Sequence, residues 1–111
     1  MAYDERLADR VRDVLLPEPD LTERKMFGGL AFMLEGHMCC GIVGDELMLR
    51  LGVDGAEEAL GRDHVRPMDF TGKPMTGMVF VSGDGLRGAA LRRWVQRAAG
   101  FVRTLPPKRR T

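Results

Sequence analysis

Long apolar runs are missing from this 111-residue chain, and so are most of the residues on which catalysis and disulfide scaffolds draw. No stretch approaches the ~20 apolar residues of a membrane helix and no signal-peptide core opens the chain, so a cytoplasmic protein without a membrane partner is expected. Two cysteines, Cys39 and Cys40, are too few and too close in sequence for a disulfide framework. With two histidines and no G-x-S-x-G, the chain offers no nucleophile, base and orienting acid in a readable arrangement, so no enzyme activity, cofactor or metal is expected. Gly28-Gly29 is followed by neither GK[ST] nor a helix, which excludes a phosphate loop. Acidic residues are absent after Asp84.

What is present reads as a small α+β domain. At 111 residues the chain makes one domain, able to bury roughly 65% of its unfolded surface without staples. From Lys25 to Leu51 the sequence reads as three short strands joined by two tight turns. Gly44-Asp45 suits a type II′ hairpin and sets Val43 against Glu46, Ile42 against Leu47, Cys40 against Leu49 and Met38 against Leu51. One face then collects Met38, Cys40, Ile42, Leu47, Leu49 and Leu51. A two-residue turn at Glu35-Gly36 would turn Leu30 and Phe32 away from that face. The expected connection is therefore Leu34-Glu35-Gly36, a type I turn plus bulge with Gly36 left-handed. The opposite face would carry Ala31, Met33, His37, Cys39, Gly41, Val43, Glu46, Met48 and Arg50.

Tyr3, Leu7, Val11, Val14 and Leu15 recur at helical spacing over 1–16, and Pro17 and Pro19 end that helix, so 1–20 reads as first helix and linker. Leu21 to Phe27 is expected to be extended, leading into the first hairpin. Val53 to Leu60 reads as a short helix between Asp54 and Gly61. Two short strands are expected around a turn at Thr71 to Pro74. The last helix should run from about Leu86 to Val102 with Leu91, Trp94, Val95, Ala98, Phe101 and Val102 on its apolar side, leaving 103–111 as a frayed basic tail. The order is α-β-β-β-α-β-β-α, a two-layer sandwich with an antiparallel sheet and its helices on one face.

Three features suggest chemistry or contacts. Residues 1–24 hold seven acids and four bases, whereas eight bases and no acid follow Asp84. Arg92, Arg93, Arg97, Arg103, Lys108, Arg109 and Arg110 are thus candidate contacts for an anion or nucleic acid. The plainer reading is a solvated helix face, since Trp94 and Phe101 belong to the apolar stripe and leave no aromatic platform among the arginines. His37 and Cys39, two positions apart, suggest a weaker thiol or metal option, against which stands cysteine's ordinary role as a small hydrophobe. Alternation along a strand would point Cys39 and Cys40 to opposite faces. Finally, Met33, His37, Cys39, Val43 and Met48 form a mixed face suited to an adaptable contact.

The phrases Lys25-Met26-Phe27-Gly28-Gly29, Leu34-Glu35-Gly36-His37-Met38 and Leu47 to Leu51 resemble the N-terminal domain family of the TfoX/Sxy competence regulators. Met68-Asp69-Phe70-Thr71-Gly72-Lys73-Pro74-Met75, Trp94-Val95 and Leu105-Pro106-Pro107 extend the resemblance over roughly 20–108. It implies the two-layer fold shared with YjbR-like and secretion-chaperone-like proteins, and it supplies no catalytic residues. The expected role is a non-enzymatic regulatory or protein-interaction module that forms a homodimer or binds a protein partner. The alternative is a nucleic-acid-binding accessory protein.

Overall fold

The computed structural model describes residues 3–18, 20–26, 28–69 and 74–106. The first helix, α1, spans Glu5–Leu15. It begins later than the apolar spacing predicts, because Asp4 takes an extended conformation and its carboxylate accepts from the backbone N–H groups of Arg6 (2.9 Å) and Leu7 (3.2 Å). This is N-cap chemistry, satisfying donors that the first helical turn leaves open. Tyr3 therefore lies before the helix and bridges to Gly44, whose carbonyl accepts from the Asp4 N–H at 2.7 Å.

Six strands follow in one antiparallel sheet: β1 (Leu21–Met26), β2 (Gly29–Leu34), β3 (His37–Val43), β4 (Glu46–Arg50), β5 (Val65–Asp69) and β6 (Pro74–Val81). Their spatial order is β1-β2-β3-β4-β6-β5. The segment expected only to lead into the sheet is its edge strand, pairing with β2 from Leu21↔Leu34 to Met26↔Gly29. At the other edge, Pro67 of β5 supplies no ladder donor, the position at which a sheet tolerates proline. Helix α2 (Gly52–Ala59) connects β4 to β5, and a 3-10 turn (Gly83–Leu86) precedes α3 (Ala89–Val102). The last helix starts after Leu86 because Gly88, at φ +55°, interrupts the chain there.

The β2–β3 connection corrects the sequence reading. Glu35 (φ +52°) and Gly36 (φ +85°) are both left-handed, and Leu34 pairs directly with His37, so the turn has two residues. Two consecutive positive φ values are the type I′ pattern, whose twist matches the flanking strands. The extra residue sits inside the strand instead. Phe32 pairs with Cys40 while Met33 pairs with Met38, leaving Cys39 as a β-bulge. That insertion restores the register, so Leu30 still opposes Ile42 across the core face. The β3–β4 pairs Cys40↔Leu49, Ile42↔Leu47 and Val43↔Glu46 form as the turn chemistry predicts. Met38 does not oppose Leu51. It packs on the other face of the sheet, and the Leu51 N–H donates to the Gly77 carbonyl at 2.9 Å.

All three helices pack against one face. Leu7, Val11 and Leu15 of α1, Ala56 and Ala59 of α2, and Leu91, Trp94, Val95, Ala98 and Val102 of α3 join Leu30, Phe32, Cys40, Ile42, Leu47, Leu49, Val79 and Val81 in one buried cluster. Helix α3 crosses β3 and β4, α1 lies against α3, and α2 lies against β6. Phe101 reaches the backbone of Gly52 so closely that a Cβ there would fall 2.5 Å from its ring. The fold is thus an α+β two-layer sandwich.

Candidate functional site

The face of the sheet away from the described helices is built from the strand positions that alternate with the core. Met48, Met78 and Phe80 are buried there, and half-buried Met38 and Val43 pack beside them. Strand alternation creates this second apolar set: Leu47 and Leu49 point to the helices while Met48 points away, as do Met78 and Phe80, which alternate with Val79 and Val81. Gly41, paired with Met48, leaves room for its thioether. A Cβ at Gly41 would lie 2.9 Å from the Met48 methyl and 2.8 Å from the Leu30 carbonyl oxygen. Arg66 of β5 spreads over the Phe80 ring, 4.5 Å from its centroid, while its Nε donates to Glu46 at 2.9 Å. No residue of a described helix belongs to this cluster.

Of the five residues expected on a contact face, Met33, Val43 and Met48 lie on this side, Met33 and Val43 half-buried and Met48 buried. His37 and Cys39 do not. The bulge turns Cys39 into the helix-side core with no exposed surface. His37 follows Leu34 to that side, where its Nε2 lies 2.6 Å from the Pro106 carbonyl oxygen beyond α3, the ring nitrogen donating. The proposed pairing of His37 with Cys39 therefore has no shared open surface, and no group of three metal-ligating side chains occurs among the described residues. Side-chain hydrogen bonding with Cys39, reinforced by burial, pushes the Cys40 thiol well above the ordinary range.

The arginines of α3 divide by partner. Arg97 donates through Nη1 to Glu58 and through Nη2 to the Gly55 carbonyl, both at 3.0 Å, and its guanidinium stands 5.6 Å from the Trp94 ring centroid. Arg103 donates to the Ala99 carbonyl at 3.3 Å and approaches Glu18 at 3.5 Å. These two tie α3 to α2 and to the segment that follows α1. Arg92 and Arg93 are exposed and make no ion pair among the described residues. Arg92 also lines an open cleft of about 330 Å³ together with Arg10, Asp13 and Gly88. Lys108, Arg109 and Arg110 lie outside the described residues.

Sequence reasoning missed Met78, Phe80 and Arg66 as parts of the outer face. The signal was the unbroken apolar run Met78-Val79-Phe80-Val81, which puts apolar side chains on both faces of that strand.

No helix of the described residues is long and apolar enough to cross a membrane. The sequence matches no curated protein and no solved structure. The family model of the TfoX N-terminal domain matches residues 13–102. That match runs from within α1 to the last residue of α3 and takes in every strand of the sheet, so the chain belongs to the TfoX N-terminal domain family.

Proposed function

We propose that this domain is a non-enzymatic regulatory or protein-interaction module that pairs with a second copy of itself through the outer sheet face. The observation carrying this reading is that every described helix packs on one side, while the other holds a methionine-rich cluster flanked by half-buried Met38 and Val43, with Met33 paired to Met38. Flexible, polarizable thioethers adapt to a facing surface, and a two-fold pairing would bring the same patch of each copy together. The non-enzymatic reading rests on the sequence, with its two histidines and no nucleophile motif. Two free thiols suit a cytoplasmic location.

The test is light-scattering mass at several concentrations for the wild type and a Met33→Glu/Val43→Glu variant. Met48 is only 1% exposed, so a charge there would report on folding rather than docking. A wild-type dimer that becomes a folded monomer supports the reading, whereas a wild-type monomer at all concentrations refutes it.

A second reading, a nucleic-acid accessory role, is favoured by one observation: Arg92 and Arg93 are exposed and without ion pairs among the described residues, on a segment lacking acids. It requires DNA binding that weakens steeply with salt and loses salt slope in Arg92→Ala/Arg93→Ala. Arg97 is unsuitable for this test because its loss would also remove its bonds to Glu58 and to the Gly55 carbonyl, which tie α3 to α2.

A further inference from the structure

A regular strand would separate the side chains of Cys39 and Cys40 to opposite faces. The bulge in β3 instead brings both into the helix-side core, each with no exposed surface. They form neither a disulfide nor part of a three-ligand cluster among the described residues, and His37, two residues before Cys39, is engaged with the Pro106 carbonyl. Two adjacent thiols on one side of a strand, with no third ligand, constitute a bidentate soft-donor pair.

The chemistry of the pair selects among ligands. A divalent metal needs deprotonated thiolates and further ligands to complete its shell. Thiol–disulfide exchange likewise begins with a thiolate. Hydrogen bonding with Cys39 and burial favour the neutral form of the Cys40 thiol, which disfavours both. A trivalent arsenical bearing one carbon substituent has neither requirement. It needs two sulfur ligands, and it condenses with neutral thiols. We propose that Cys39 and Cys40 form a binding site for monosubstituted trivalent arsenicals, created by the β3 bulge. In the step R–As=O plus two R′SH gives R–As(SR′)₂ plus water, two As–S bonds form. The arsenic–oxygen bond is lost, both thiol protons leave on that oxygen as water, and no atom changes oxidation state.

Both thiols are covered, so binding follows local opening near the start of β3, where the bulge leaves Cys39 outside the paired register. The rate should therefore be limited by opening, while the stoichiometry remains one adduct per chain.

The probe is phenylarsine oxide, added to the folded full chain and read by intact mass under non-denaturing conditions. The expected result is one phenylarsenic per chain, removed by excess dithiol and retained in excess monothiol, with Cys39→Ser and Cys40→Ser each losing the stable adduct. Folding of the variants is verified by circular dichroism, with Cys39→Ala and Cys40→Ala as substitutes if serine cannot be buried. Failure of the folded chain to form the adduct, while the urea-unfolded chain forms it, would overturn the assignment, since adjacency alone would then suffice. A monothiol-resistant adduct in either folded single variant would overturn it equally.

Discussion

The same strands build two apolar faces in this TfoX N-terminal domain, and the faces differ in what covers them. On the helix side, Phe32, Ile42, Leu47, Leu49, Val79 and Val81 have no exposed surface and meet side chains from all three helices. On the outer side, Met48, Met78 and Phe80 form a smaller cluster among strand residues, with Arg66 laid over the phenylalanine ring. Strand alternation creates both sets, but the first is anchored by rigid branched and aromatic groups and the second by flexible thioethers. Such a division suits a fold held from one side and adaptable on the other.

Unequal truncations test that division most strongly. Phe32→Ala should cost about 3–5 kcal/mol in urea unfolding, because a completely enclosed ring leaves a cavity that the helices cannot collapse into. Phe80→Ala should fall at the bottom of that range, at about 3 kcal/mol or less, since methionines can move into the space. Equal losses would make the outer cluster a second core rather than an adaptable face.

Gly41→Ala reaches the outer face from the backbone. Its Cβ would meet both the Met48 methyl and the fixed Leu30 carbonyl, and only the first can yield. A loss of about 1–3 kcal/mol is expected from overpacking. Combining it with Met48→Ala relieves only the methionine contact, so a double variant fully restored relative to Met48→Ala would show that the carbonyl contact carries no cost.

Attachment of the helix layer should be sensitive to Asp4. Asp4→Ala removes the cap of α1 and should lower stability by about 1 kcal/mol, with Asp4→Asn recovering most of it. An unchanged unfolding midpoint in Asp4→Ala would mean that the Gly44 contact and core packing set the helix start alone.

The smallest effect concerns the link between α1 and the edge strand. Arg12 grips Glu23 through Nε (2.6 Å) and Nη2 (2.9 Å), and this hydrogen bonding holds the Glu23 carboxyl below its ordinary range. Both side chains remain about a third exposed, so Arg12→Met should cost less than about 1 kcal/mol. A folded pKa below the unfolded one contributes stability above the unfolded value, and that contribution is lost as pH falls through the folded value. The difference between wild type and Arg12→Met should therefore be steady at neutral pH and shrink under acid. A difference that grows on acidification would contradict the pairing.

Much of the fold is legible in local chemistry. Gly44-Asp45 specifies its hairpin because only a positive φ at Gly44 fits so short a turn, and the resulting register follows down to Cys40↔Leu49. The stripe from Leu91 to Val102 identifies the covered side of α3 for the same reason, a period shared by residues and backbone. The contact face was only partly legible. Met33, Val43 and Met48 follow from alternation, whereas the placement of His37 and Cys39 depends on where the extra residue of the first hairpin is accommodated. Turn or strand interior both satisfy the hydrophobic pattern of β2, so the pattern cannot choose between them.

By itself, then, the sequence determined the class of fold, the order and apolar faces of the helices and the second hairpin, because these depend on contacts between near neighbours. The tertiary structure alone decided that β1 is an edge strand, that the bulge falls at Cys39, and that Arg97 and Arg103 bind their own fold while Arg92 and Arg93 face solvent. Each of those outcomes depends on a partner distant in sequence, and no local period or turn residue encodes which partner the packed chain brings near.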